Sequence, residues 1–179
     1  LMLALPGSAY LYQGEELGLP EVIELPDDAR QDPTWFRTQG ERYGRDGCRV
    51  PIPWEADAPA FGFNATGSSW LPQPDEWAEL ARDRQEDDPG STLRLYRELL
   101  RLRRELALGA AEDFAWIDGL PPSALGFRSG GVTVIANAGG EPVALPQGVR
   151  VLVSSAPLED DGSGSLTLPR DAAAWFLRD

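Results

Sequence analysis

The segment from Ser91 to Leu108, STLRLYRELLRLRRELAL, constrains the fold more than any other, because its sustained helical period divides the chain into two parts of unlike texture. Leu93, Tyr96, Leu99, Leu100 and Leu106 recur along one side with arginines opposite, the spacing of an amphipathic helix. Pro89-Gly90 isolates its start, Ser91 or Thr92 can cap it, and Gly109 is expected to end it. The arginine face reads as solvated. Beyond Phe114 the texture changes to short runs, FAWI, ALGFRS, VTVIANA, PVAL, VRVLVSS, SLTL and AAAWFL, with Gly130-Gly131, Gly139-Gly140 and DDGSGS as turn signals between them. An antiparallel β-sandwich of about 65 residues is the expected product. Its Asp160-Asp161-Gly162 turn has residue types suited to calcium, but a solvated hairpin tip is the favoured reading.

Ahead of the helix the order is different. Leu1 to Leu5 reads as the last turn of a helix whose start lies outside the sequence, stopped at Pro6-Gly7. The chain is therefore expected to be a piece of a longer protein. The same break, with no basic residue before it, excludes a signal peptide or membrane span in this stretch. Ala9-Tyr10-Leu11-Tyr12 is a short apolar run of the kind buried on both faces in a parallel sheet. From Glu15 to about Thr66 there is no sustained period, and irregular segments this long are usually functional. A second, shorter helix is expected over Pro74 to Arg82.

The 179 residues carry 29 acidic and 16 basic groups, a net charge of −13. Nucleic acid and anionic membranes both need a basic face, so neither is an expected partner. All the basic residues are arginine, and there is no histidine. Ser-His-Asp and Cys-His catalysis and His-ligated zinc are thereby excluded from this chain. One cysteine cannot form an internal disulfide, which leans towards a cytoplasmic setting. No metal or cofactor is expected.

Within the irregular stretch, residues 44–54 read GRDGCRVPIPW. Gly44 and Gly47 permit unusual turns, and Pro51 and Pro53 fix the exit. A stiff loop presenting guanidinium groups suits a planar or polyhydroxylated ligand. Trp35, Phe36, Trp54, Phe61, Phe63 and Trp70 can stack on sugar rings, but most are expected to form the loop's own small core. Cys48, with no base beside it, reads as a packing residue. Asn64-Ala65-Thr66 matches a glycosylation sequon, a short pattern frequent by chance. The carboxylate pairs Glu15/Glu16 and Asp27/Asp28 read as structural or solvated rather than catalytic.

Four segments in series carry a family resemblance. GSAYLYQGEELGL resembles the last-strand motif G-x-P-x-I-Y-x-G-E-E of α-glucosidases of the α-amylase-type glycoside hydrolase family 13, and GRDGCRVPIPW resembles their G-R-D-x-x-R-x-P-x-x-W loop. GFNATGSSWLPQP is similar to the stretch that follows, and LYRELLRLRRE to the final barrel helix. Ala9 stands where the family often has Pro, and Gly47, Cys48, Val50, Ile52 and Pro53 stand where many relatives carry Asn, Ala, Thr, Met and Gln.

The resemblance implies that residues 1–110 are the end of a catalytic (β/α)8 barrel, comprising last strand, active-site loop and last helices, and that 111–179 are a β-sandwich C-terminal domain. A whole barrel needs about 250 residues, and the family's catalytic carboxylates come from earlier strands. No catalytic residue is therefore expected in this chain, which alone would be inactive. The missing barrel half is its implied partner and an α-glucoside its implied substrate. Arg45 is expected to bind the glucosyl unit in the −1 subsite and to order an aspartate from the missing half. Asp46, Arg49 and Trp54 would support the loop, Arg49 through Asp46 or backbone carbonyls. Two alternatives stay open: a trehalose synthase-like transglycosidase or isomerase, and a non-catalytic barrel relative serving as an interaction subunit.

Overall fold

The computed structural model describes residues 1–160, 162 and 164–178, so Asp161 of the expected Asp160-Asp161-Gly162 tip lies outside the described residues. The chain resolves into two compact units, Leu11–Tyr96 on one hand and Leu1–Tyr10 with Arg97–Asp179 on the other. The division falls inside the long helix α3, Thr92–Glu105.

The unit that contains the C-terminal part is built on strands β1 (Phe114–Trp116), β2 (Ala124–Ser129), β3 (Val132–Asn137), β4 (Val143–Ala144), β5 (Val149–Ser154), β6 (Glu159–Asp160), β7 (Leu166–Leu168) and β8 (Ala172–Arg178). Two sheets form, ordered β1-β2-β3-β8-β5 and β4-β7-β6, with every pairing antiparallel. Ile135, Ala174 and Phe176 of the first sheet meet Val143 and Leu168 of the second in one apolar cluster. This is how alternating strands bury one face each. The opposite row of the larger sheet, Phe127, Val134 and Trp175, is buried as well. The expectation of an antiparallel, β-rich C-terminal part is met.

In the same unit, Met2–Ala4 forms a single 3-10 turn with Leu3 and Ala4 buried, and Leu5 is already extended. Arg103 of α3 donates to the carbonyls of Leu3 and Leu5, 2.7 Å each, and to that of Gly7. The arginine face of the helix is therefore not wholly solvated: one member is drawn in by main-chain acceptors that sequence periodicity does not reveal. Arg101 fits the expectation, exposed and paired with Glu98 and Glu105.

Several expectations need correction. Ala9-Tyr10-Leu11-Tyr12 forms no strand, and Tyr10 is 83% exposed. A parallel strand is made by its neighbours' hydrogen bonds, and none of the described strands lies beside it. The helix expected over Pro74 to Arg82 is a 3-10 turn, Asp75–Ala78, followed by a separate helix α2, Arg82–Glu86. Ala81 is extended between them because the Arg82 and Asp83 amides donate to Pro53 and Trp54 carbonyls instead of continuing a helix. Finally, α3 stops at Glu105 rather than at Gly109, with Ala107 left-handed at φ 50° before a 3-10 turn over Leu108–Ala110. Leu93 and Leu102, nine residues apart and so on opposite faces, are both buried, while Leu100 of the expected stripe is exposed. The two residues belong to different units, so no single stripe describes the helix.

The Leu11–Tyr96 unit is held by an aliphatic cluster around one indole: Leu25, Val50, Leu71 and Trp77, flanked by Phe61 among others. The expected aromatic core is thus overturned, since Phe36, Trp54, Phe63 and Trp70 are exposed. Buried Gln85 ties this unit together, donating to Leu17 and Leu80 carbonyls and accepting the Leu93 amide at 3.0 Å. Ser91 caps α3 by accepting the Arg94 amide, as the sequence signals. No helix among the described residues is long and apolar enough to cross a membrane.

Candidate functional site

The loop that begins at Gly44 closes around two buried carboxylates. Asp46 starts a 3-10 turn, Asp46–Cys48, and is fully buried; its Oδ2 accepts the amides of Gln31 at 3.0 Å and Asp32 at 2.9 Å. Asp32 acts in the other direction. Its Oδ1 accepts the Thr34 amide at 2.8 Å and caps the short helix α1, Pro33–Arg37, while its Oδ2 accepts the Arg45 amide at 3.0 Å. Arg49 Nη1 spans both acids, 3.0 Å from Asp32 Oδ2 and 3.5 Å from Asp46 Oδ1. The Thr34 amide foremost, then, against the opposing pull of burial, the Thr34 hydroxyl, the Arg45 amide and Arg49, lower the Asp32 carboxyl from 3.8 to about 2.

Glycine is required at two points for different reasons. Gly44 has φ +74°, and a Cβ there would lie 2.5 Å from Asp32 Cγ. Gly47 has no such φ; a Cβ there would lie 2.4 Å from the Val22 carbonyl, whose own amide donates to Gly47. The freedom to turn expected of both glycines is needed at Gly44 alone, and at Gly47 the close approach of Val22 excludes a side chain.

These bonds fix the main chain of Arg45 and leave its side chain exposed, with no hydrogen bond or ion pair to a described residue. Its carbonyl accepts from Cys48 Sγ at 3.1 Å. Trp54 joins the loop through its main chain, its amide donating to Phe61 and its carbonyl accepting from Asp83, while the indole is 45% exposed. Arg49 reaches Asp46, the partner that the sequence offered, but lies closer to Asp32, which it did not. The overlooked signal is Asp32-Pro33, an N-cap acid followed by proline at the first helical position.

Arg30 was overlooked too. It is buried, donates to Ile23 and Leu25 carbonyls at 2.7 and 2.8 Å, and sets its guanidinium carbon 4.1 Å from the Tyr43 ring centroid. Tyr43 also stacks on Trp35 at 5.6 Å with planes 18° apart. Beside these groups is an open cavity of about 500 Å³, lined by Ile23, Arg30, Thr34, Arg42, Tyr43 and Arg45 together with Glu21, Val22 and the two glycines.

One member of each carboxylate pair has a local role. Glu16 accepts the Gly14 amide at 2.9 Å, and Asp27 lies 3.6 Å from Arg30 Nε. Asn64 of the sequon is turned inward on its own loop, accepting the Thr66 and Gly67 amides and donating to the Ser68 carbonyl. Among the described residues no three His, Cys, Asp or Glu side chains gather as a metal site.

Compared with known proteins, residues 1–110 match the family described as alpha amylase, catalytic domain. The chain belongs to the α-amylase family. Among family members, a probable alpha-glucosidase of Rhizobium meliloti is 40% identical over 104 residues, which are 58% of this chain and 18% of that protein. The trehalose synthase/amylase TreS of Mycobacterium tuberculosis is 32% identical over 133 residues, 71% of this chain and 19% of the relative. The crystal structure of the alpha-glucosyl transfer enzyme XgtA superposes with a TM-score of 0.78 at 34% identity, over 99% of this chain and 34% of that one. The chain thus spans about a fifth of the length of the curated α-amylase-family relatives it matches.

Proposed function

We propose that these residues are the C-terminal part of a retaining α-glucosidase, with 1–110 the end of a (β/α)8 barrel and 111–179 a β-sandwich domain. The family match over 1–110 and the alpha-glucosidases among the relatives support this reading. Retaining hydrolysis uses a nucleophilic carboxylate and an acid/base carboxyl about 5–5.5 Å apart. In this reading both come from outside residues 1–179, and the chain alone does not turn over substrate. What it contributes is Arg45, which donates to the glucosyl unit and clamps a carboxylate of the other barrel half. The observation that carries the proposal is the union of a main chain locked by Asp32 with a guanidinium that has no hydrogen-bond or ion-pair partner among the described residues.

Arg45→Lys in the whole enzyme keeps the charge and loses the planar fork. The expected cost is roughly 2–5 kcal/mol of transition-state binding, a fall in kcat/KM of about thirty- to several-thousandfold. Near-parental turnover by a folded Arg45→Lys enzyme would refute the role. A second reading, glucosyl transfer to another sugar, draws support from the broader match to TreS and the likeness to XgtA. The ratio of transferred to hydrolysed glucose at high acceptor concentration separates the two.

A further inference from the structure

Asp32 lies outside the 44–54 motif, and its two carboxylate oxygens serve different elements of the loop. Oδ1 accepts the Thr34 amide at 2.8 Å and caps α1, while Oδ2 accepts the Arg45 amide and Arg49 Nη1, both at 3.0 Å. The carboxylate is itself held in place. Asp46 Oδ2 accepts the Asp32 amide at 2.9 Å, and Gly44 sits so close that a Cβ there would lie 2.5 Å from Asp32 Cγ. Asp32 is 5% exposed, and all of these partners belong to the Leu11–Tyr96 unit. None of the contacts depends on a surface that the rest of the enzyme would cover.

We propose that Asp32 is a positioning residue for glycoside cleavage, the anchor that sets the Arg45 main chain so that its guanidinium meets the glucosyl unit. The inference rests on the reading of Arg45 given above and adds to it a residue 13 positions upstream that touches neither substrate nor the reacting atoms. Several features favour it. A guanidinium at the end of a long side chain magnifies any displacement of its own Cα, and a shift of about 1 Å can cost a hundredfold in rate. The bond that opposes such a shift is charge-assisted and buried, which makes it stronger than a bond between neutral groups at the surface. Its acceptor is permanent as well. With its carboxyl lowered to about 2, Asp32 presents two accepting oxygens at neutral and mildly acidic pH alike. One oxygen ties Arg45 to the other's helix, so the loop and α1 are set by a single group.

The test is a cycle of variants at Asp32 and Arg45 in the whole enzyme. Asp32→Asn is the informative change, because asparagine caps helices as well as aspartate does and keeps an oxygen for Thr34, but turns an NH2 donor toward the Arg45 amide and Arg49. Rates are read well below the melting temperature of each variant, so that kcat refers to folded enzyme. Asp32→Asn is expected to lower kcat on the order of ten- to a hundredfold with KM little changed, the pattern of an interaction realised in the transition state. On an Arg45→Lys background, which has already lost the fork, the same change should cost less than about threefold. Hydrogen-exchange mass spectrometry should show the peptide that holds the Arg45 amide exchanging faster in Asp32→Asn, while the one that holds the Thr34 amide stays protected. Losses that simply multiply in the double variant would show that Asp32 acts on the fold at large, and would overturn the proposal. Unchanged exchange at Arg45 would overturn it as well. Near-parental turnover by Arg45→Lys alone would instead refute the role of Arg45 itself and this inference with it, so the two failures are told apart.

Discussion

The Thr34 amide, the Arg45 amide and the Arg49 guanidinium all donate to Asp32, so protonating this one carboxyl removes an acceptor from three parts of the loop. Its folded value of about 2 lies below the 3.8 of a free group. A depressed acid contributes stability that is fully present above its unfolded value and is lost as pH falls through its folded one. Asp32→Asn is therefore expected to melt below the parent protein at pH 7, and the gap should narrow as pH falls from about 4 to about 2. Thermal melts across that range check it; a gap of constant width would mean that the loop does not depend on this ionisation. Gly47 poses a purely steric question, because its Cβ position is occupied by the Val22 carbonyl. Gly47→Ala should lose about 1–3 kcal/mol in urea unfolding, the usual penalty of an overpacked site. Unchanged stability would show that the two strands of loop are free to separate.

At the scale of elements, α3 ends on an alanine in the left-handed region, a conformation that glycine adopts without penalty. Ala107→Gly is expected to raise stability by about 0.5–1 kcal/mol, the relief at the helix end outweighing the added freedom of the unfolded chain. A lower melting temperature for the variant would contradict this. The β-rich part was legible in the sequence because period-two runs and glycine pairs are local signals, and seven strands follow the runs from FAWI to AAAWFL, while β6, Glu159–Asp160, lies in none of them and takes Asp160 out of the expected turn. Ala9 to Tyr12 was not, since an apolar run says nothing about whether a neighbouring strand is present. The site was legible in part. GRDGCR stands out as a motif, but Arg30 and Asp32 act from 13 to 17 residues away through single hydrogen bonds and a ring contact, and no periodicity links such positions. The helix over Pro74 to Arg82 failed for a related reason: Pro53 and Trp54 carbonyls capture its amides from across the loop.

At the scale of the molecule, the unit formed by Leu1–Tyr10 and Arg97–Asp179 is discontinuous in sequence, and Arg103 joins its pieces through the carbonyls of Leu3, Leu5 and Gly7. Arg103→Ala should release the first residues, so that the Gly7 amide, now bonded to the Gly109 carbonyl, exchanges much faster while the amides of β3 and β8 stay protected. Hydrogen-exchange mass spectrometry on peptides from the two regions reads this directly; slow exchange near Gly7 in the variant would show that other contacts hold the segment. The same arrangement sets an order of events during synthesis. Residues 1–10 leave the ribosome while their partner arginine is still about 100 codons away, a delay of roughly 5–20 s at ordinary translation rates. Through that interval the Arg97–Asp179 partners of Leu3 and Ala4 are not yet made, and Leu11–Tyr96 is finished only near its end. The segment Leu1–Tyr10 is thus made seconds before the residues that close its unit, a natural hold for a chaperone that recognises short hydrophobic segments.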